Sequence, residues 1–218
     1  MDADSAGLQS GGRLAESSRV EAFSDGVFAI ALTLLVLDLR TPEVGGSFGQ
    51  LLLAEWPAYL AYLAAFLNIA AIWINHHDLF HRVKRVDIRL ICLNLFLLLV
   101  SSIFPWPAAV VSSAIRTGTH HDQVVAVLLF AVVGFAVPVA WIGLYSYLKR
   151  HPTLLTNPAE ARYMADGSRR STVGLVVFPV AAVIGLWQPV VALVAFVLVP
   201  AFFIATLLYP RPTEPSSA

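Results

Sequence analysis

Charge is scarce in this chain. Asp, Glu, Lys and Arg make up 13% of its 218 residues, roughly half the share carried by a soluble domain. With 58% of residues hydrophobic, too little polar surface remains to cover a globule of this size. Lipid is therefore the expected solvent. Neither sign of charge predominates, since 14 Lys and Arg balance 14 Asp and Glu, so nothing calls for nucleic acid or an acidic partner. A single cysteine, Cys92, excludes an intrachain disulfide and says little about compartment. The opening Met1-Asp2-Ala3-Asp4-Ser5 lacks the basic stretch of a secretory signal, so the first apolar segment is expected to remain as a membrane span.

What is abundant is apolar sequence in runs of membrane-crossing length, about 20 residues each. Spans are expected at 20–39, 51–75, 88–104 and 124–148. Pro105-Trp106-Pro107 ends the third, and Pro138 kinks the fourth. The run 172–209 is too long for one crossing and contains Gly185-Leu186-Trp187-Gln188-Pro189, its only turn-like cluster, so it reads as two helices. The expected fold class is an all-α integral membrane protein of six transmembrane helices with both termini cytoplasmic. Sorting the basic residues by side supports the count. Arg13, Arg19, Arg82, Lys84, Arg85, Arg89, Lys149, Arg150, Arg162, Arg169, Arg170 and Arg211 fall on one side, and only Arg40 and Arg116 on the other, as the positive-inside rule requires. Trp56, Trp106 and Trp187 fall at outer ends, Trp73 and Trp141 near inner ends, as in an aromatic belt. Residues 1–18 and 210–218 are small and polar, and are expected to be disordered cytoplasmic tails flanking a membrane domain over 19–209. The segment 150–170 is the largest expected non-membrane piece and is too short for a soluble catalytic domain.

The first helix carries the chemistry. Asp25 lies six residues past Arg19, roughly 9 Å into the membrane at 1.5 Å per residue. A carboxylate there is costly and needs a partner or water. Ser24, His76 or His77, and Asn94 stand at matching depth, so one layer containing Arg19, Ser24, Asp25, a histidine and Asn94 is expected. Such a layer serves as a polar clasp between helices or as a proton or ion relay. Further along, Ile30, Leu34 and Leu37 share one face at spacings of four and three, with Thr33 beside them. On its own that stripe is ordinary packing. Lining a narrow path, it would gate by dewetting, and Thr33 would offer hydroxyls to a cation.

Arg19-x-x-x-Phe23-Ser24-Asp25, opening the first of six helices, resembles the signature of the transmembrane-protein-175 family of potassium channels. The His pair closing the second helix, His76-His77, resembles that family too. The resemblance implies that the first helix lines a central pore, with Ile30 as the hydrophobic constriction, Leu34 and Leu37 following it, and Thr33 as the hydroxyl layer that tunes selectivity. Single-repeat members assemble as tetramers, so a homotetramer in the plasma membrane is implied, because four symmetry-related helices enclose an axial path and one does not. The implied function is a potassium-permeable leak channel passing monovalent cations, with no cofactor beyond the permeating ions. No carbonyl filter of the T-V-G-Y-G type is expected: Thr172-Val173-Gly174 continues as Leu175-Val176. No helix carries an arginine ladder.

Three other classes compete, the least specific being a membrane scaffold with no transport of its own. His77 and His81, at i and i+4, are able to share a metal. His120-His121-Asp122 falls on the opposite side, however, so a multi-histidine metalloenzyme is not expected and no metal is assigned. A proton-coupled transporter using Asp25 and a nearby histidine is the stronger rival, although no internal repeat is visible.

Overall fold

A computed structural model describes residues 15–39 and 47–208. Arg13, Arg40 and Arg211, most of the first expected tail and all of the last lie outside those residues. The described chain is helical apart from one short ribbon. Strand β1 (Ala15–Glu16) leads into helix α1 (Ser17–Leu34), which tightens into a 3-10 turn at Leu35–Asp38. Helices α2 (Phe48–Ala54) and α3 (Trp56–Phe80) follow, then strand β2 (Arg85–Val86). The rest is α4 (Ile88–Ser102), α5 (Pro105–Thr117), α6 (His120–Arg150), α7 (Ala161–Gly185) and α8 (Pro189–Leu208).

Local chemistry sets these boundaries. Asp87 accepts the Leu90 amide at 2.8 Å and starts α4. Pro105 and Pro107 have no amide hydrogen, so the ladder that should continue α4 lacks donors and the helix breaks at Ile103–Phe104. The chain resumes as α5, a helix the apolar-run count did not anticipate. Thr119 and Asp122 form a reciprocal capping box that starts α6. Pro189 starts α8 directly after the short turn at Leu186–Gln188, matching the division expected from the turn cluster. Helix α7 begins at Ala161, eleven residues before the expected start, so much of the expected large loop is helix.

Among the described residues, five helical stretches are long and apolar enough to cross a membrane: Ser17–Asp38, Trp56–Phe80, Ile88–Thr117, His120–Arg150 and Pro158–Gly185. Over Pro189–Ala201, α8 adds a shorter apolar helix. Helix α6 is the centre of the bundle, packed on α4, α5 and most extensively on α7, while α3 packs on α5 and α8. Helix α1 lies at the edge, against α3 and α4. The core includes a chain of rings, Phe104, Phe130, Phe196 and Phe178, with successive centroids 4.8–5.8 Å apart. Glycines let α6 and α7 approach closely: a Cβ on Gly134 would sit 2.1 Å from the Phe178 ring, and one on Gly167 would sit 2.6 Å from Tyr145. Trp141 is 6% exposed and stacked on Tyr145, so it packs inside the protomer and does not join an interfacial belt.

Contacts place the basic segments together at one end of the bundle. β1 pairs antiparallel with β2, Ala15 opposite Val86 and Glu16 opposite Arg85, tying the start of α1 to the end of α3. Val83 bridges to Leu155, and the Thr156 amide donates to the Arg82 carbonyl, bringing the α6–α7 connection to the same end.

Candidate functional site

Helix α1 has two faces with different jobs. Phe28, Ala31 and Leu35 follow Ser24 at helical spacing, and all four are buried against α3 and α4. Ile30, Leu34 and Leu37 lie on the outward face and are 61%, 45% and 74% exposed. Leu34 and Leu37 stay aligned because a 3-10 turn eclipses residues three apart. Phe23 belongs to the same exposed stripe. Thr33 is exposed, and its hydroxyl donates to the Ile30 carbonyl at 2.9 Å. That bond uses the hydroxyl hydrogen and leaves the oxygen lone pairs facing outward as acceptors.

The buried face is fastened by a polar clasp. Asn94 Nδ2 on α4 donates to Ser24 Oγ at 2.9 Å, and Ser24 donates in turn to the Val20 carbonyl at 2.8 Å. Asn94 Oδ1 lies 2.9 Å from His76 Nε2 on α3. An amide oxygen only accepts, so His76 carries its proton on Nε2. Phe80 stacks on the imidazole at 4.3 Å and Phe28 meets it edge-on at 5.2 Å. Ser24, His76 and Asn94 are all essentially inaccessible to solvent. Three helices are thus joined by one hydrogen-bonded chain.

The expected single layer divides. Asp25 does not reach the histidine or Asn94; its Oδ1 accepts the indole N–H of Trp73 at 3.0 Å. His77 faces Glu21, Nδ1 to Oε1 at 3.2 Å. Arg19 is exposed and makes no hydrogen bond or ion pair among the described residues. Helical geometry explains the division. At about 100° per residue, Asp25 is turned about 100° from Ser24, and Arg19, five residues back, about 140° the other way. Arg19 thereby stands at the basic end of the exposed Phe23–Ile30–Leu34 stripe. Trp73 and Glu21 were not singled out from the sequence as partners. The i−4 spacing of Trp73 from His77 was the available signal.

A second polar cluster lies at the basic end of the bundle, around the connection that follows α3. Arg82 donates to Glu160 at 2.7 Å and Asp78 at 3.0 Å, and its guanidinium lies 4.0 Å from the Tyr163 ring centroid. Partial burial opposes its charge, but the bonds to Glu160 and Asp78 outweigh this and hold it above its ordinary value. Partial burial likewise opposes ionisation of Asp87. The Tyr147 hydroxyl and the Leu90 amide prevail and hold its carboxyl below the usual range. At the other end, Arg116 Nη1 contacts both carboxylate oxygens of Glu55, at 2.7 and 2.9 Å.

These features define a multi-pass helical membrane protein whose edge helix is clasped on one side and presents an apolar stripe on the other. The family model described as endosomal/lysosomal potassium channel TMEM175 matches residues 19–105, the segment that contains the stripe and the whole clasp. A potassium channel of Streptomyces collinus is 44% identical over 137 residues, covering 62% of this chain and 66% of the relative. A potassium channel of Chamaesiphon minutus is 36% identical over 149 residues, covering 66% of this chain and 72% of the relative. The crystal structure of a lysosomal potassium-selective channel TMEM175 homolog from Chamaesiphon minutus superposes with a TM-score of 0.74 at 27% identity, covering 87% of this chain and 97% of that one. The chain belongs to the TMEM175 family, as a member of its prokaryotic type. That is a family of channels and not of enzymes.

Proposed function

We propose that this chain is one subunit of a homotetrameric, potassium-permeable leak channel whose pore is lined by α1. The observation that carries this reading is the outward face of α1. Ile30, Leu34 and Leu37 stand exposed on a helix whose opposite face is locked to α3 and α4. Acyl chains and neighbouring protein cover such side chains equally well, and the match of this segment to a potassium-channel family favours protein. Four copies of the helix around an axis would cover one another and leave a narrow apolar path.

Conduction through such a path follows from its chemistry. Rings of Ile30, Leu34 and Leu37 repel water when narrow, so an ion passes only when the constriction widens enough to stay wet. Thr33 oxygens, already oriented by the Ile30 carbonyl, replace part of the hydration shell of a monovalent cation. Potassium dehydrates more readily than sodium and gains the preference. Asp25 is held by Trp73 on a flank of α1 away from the stripe, which favours a positioning role over a place in the conduction path. The names of the two bacterial relatives, both potassium channels, support the choice of ion.

In this reading the chain crosses the bilayer six times, with α8 as the sixth span. The gathering of the β1–β2 ribbon and the α6–α7 connection at one end supports placing that basic end, and both termini, on the cytoplasmic side of the plasma membrane. Potassium and sodium flux from liposomes holding the purified protein, compared with Ile30→Asn, tests the proposal. Potassium-favouring flux that rises in the variant is expected. Unchanged flux in a folded Ile30→Asn protein would overturn the gate, and no flux under any gradient would overturn the channel.

A further inference from the structure

At the basic end of the bundle, α1 and α3 bring together three metal-ligating side chains that the clasp and the apolar stripe do not use. His77, one turn from the end of α3, and His81, just past it, have their Nε2 atoms 3.0 Å apart, their rings meeting edge-on at 4.3 Å. Glu21 of α1 places Oε1 3.2 Å from the other nitrogen of His77, Nδ1. One donor atom from each of the three residues lies within 4.8 Å of the other two. Both imidazoles are exposed and Glu21 is partly covered.

The protonation pattern follows from the partners. A carboxylate only accepts hydrogen bonds, so the proton of His77 sits on Nδ1, facing Glu21. The Nε2 of His77 then presents a lone pair toward Nε2 of His81, and the short contact holds a single proton donated by His81. Exchange of that one proton for a metal ion leaves every other contact in place. Nitrogens bound to zinc at about 2.0–2.1 Å in a tetrahedron stand about 3.3 Å apart, so the rings need to separate only slightly. A carboxylate on the far nitrogen of a ligating histidine is also the arrangement that fixes tautomer and ring orientation in metal sites. Trp73, stacked on the His77 ring at 6.0 Å and bonded to Asp25, restricts that ring further.

We propose that Glu21, His77 and His81 form a binding site for a transition-metal dication of the zinc class. The two imidazole Nε2 atoms ligate, and Glu21 holds the His77 tautomer within reach of the ion. Imidazole donors favour zinc, copper, nickel and cobalt over calcium or magnesium, which take oxygen ligands. Exposure of both histidines leaves the remaining coordination positions to water. The bound ion fixes the two imidazoles at the end of α3, and the Glu21 contact carries that restraint to α1, about two and a half turns from Ile30. Nothing in this proposal depends on what the stripe conducts.

The test uses the purified full chain in detergent, free of any histidine tag, titrated with Co2+ and followed by its visible d–d bands. Zn2+ is then added as a competitor. One Co2+ per protomer with bands of a low-coordinate nitrogen–oxygen site, displaced by Zn2+, is expected. His77→Gln and His81→Gln should abolish the bands. Glu21→Gln should weaken binding by about 10–100-fold, and His121→Gln, exposed on α6, should leave it unchanged. Each variant is checked for its oligomeric peak by size exclusion, and His81→Gln, exposed beyond the end of α3, carries the test should His77→Gln misfold. Absence of bands in the wild type, or equal bands in wild type and His81→Gln, would overturn the site.

Discussion

Asn94 is the residue on which the attachment of α1 depends, because its amide serves two helices at once. It donates to Ser24 and accepts from His76, and all three are buried. Asn94→Ala leaves a serine oxygen and an imidazole N–H without partners, at a cost of about 1–3 kcal/mol. Thermal unfolding in detergent should show a clear fall in midpoint, and a shift within error would mean that the clasp contributes little. Asp87 sets a pH dependence of definite sign. Its folded carboxyl titrates below the ordinary value of 3.8, so its stabilising contribution is complete above that value and fades as pH falls below it. Asparagine also caps helices well, so Asp87→Asn removes chiefly the charge and the full bond to Tyr147. The deficit of Asp87→Asn against wild type should therefore be largest at neutral pH and shrink below about pH 4. A deficit independent of pH would show that the ionised form is not favoured. The conduction test at Ile30 belongs to this scale too, since it asks whether one side chain keeps the proposed path dry.

Among the elements, the α6–α7 pair is the tightest junction. Gly134 accepts the Phe178 ring where a Cβ would stand 2.1 Å away, and Phe178 is itself buried in the ring chain with Phe196 and Phe130. Gly134→Ala is therefore expected to destabilise by about 1–3 kcal/mol through overpacking. Adding Phe178→Leu to that variant should recover part of the loss, because the smaller side chain makes room for the methyl. Additive losses in the double variant, read by the same unfolding measurement, would show that the two positions are not coupled. Element boundaries were legible where a local signal marked them, as at the Gly185–Pro189 turn and the proline pair after α4. They were illegible where the chain is helical without being apolar. The first three turns of α7 carry Arg162, Asp166, Arg169 and Arg170, and an apolar-run count does not register a helical stretch this polar.

At the scale of the whole molecule, the proposed pore requires the outward stripes of α1 from four protomers to face one another. Native mass spectrometry from detergent or lipid nanodiscs should give four times the protomer mass, and Ile30→Asn together with Leu34→Asn should weaken that assembly. A monodisperse monomer that still supports flux would refute the symmetric pore. Class and family were legible before any fold was known. A low charge fraction with long apolar runs requires a membrane, and Arg19-x-x-x-Phe23-Ser24-Asp25 at the head of the first helix carried the resemblance. The site was legible in part. Ser24, a histidine and Asn94 were expected to meet and do meet, whereas Asp25 and Arg19 were placed in the same layer and stand elsewhere on the helix.

By itself the sequence determined the solvent, the helical class and which face of α1 is aliphatic. Each of these follows from the kind of residue and its spacing along one chain. Only the tertiary structure decided which of His76 and His77 joins the clasp, that Trp73 takes Asp25, and that Glu21 reaches across to His77. Depth in the membrane, which spacing reports, says how far along a helix a group lies. Rotation about the axis and the choice of neighbouring helix decide what it touches, and those are set by how α1, α3 and α4 pack.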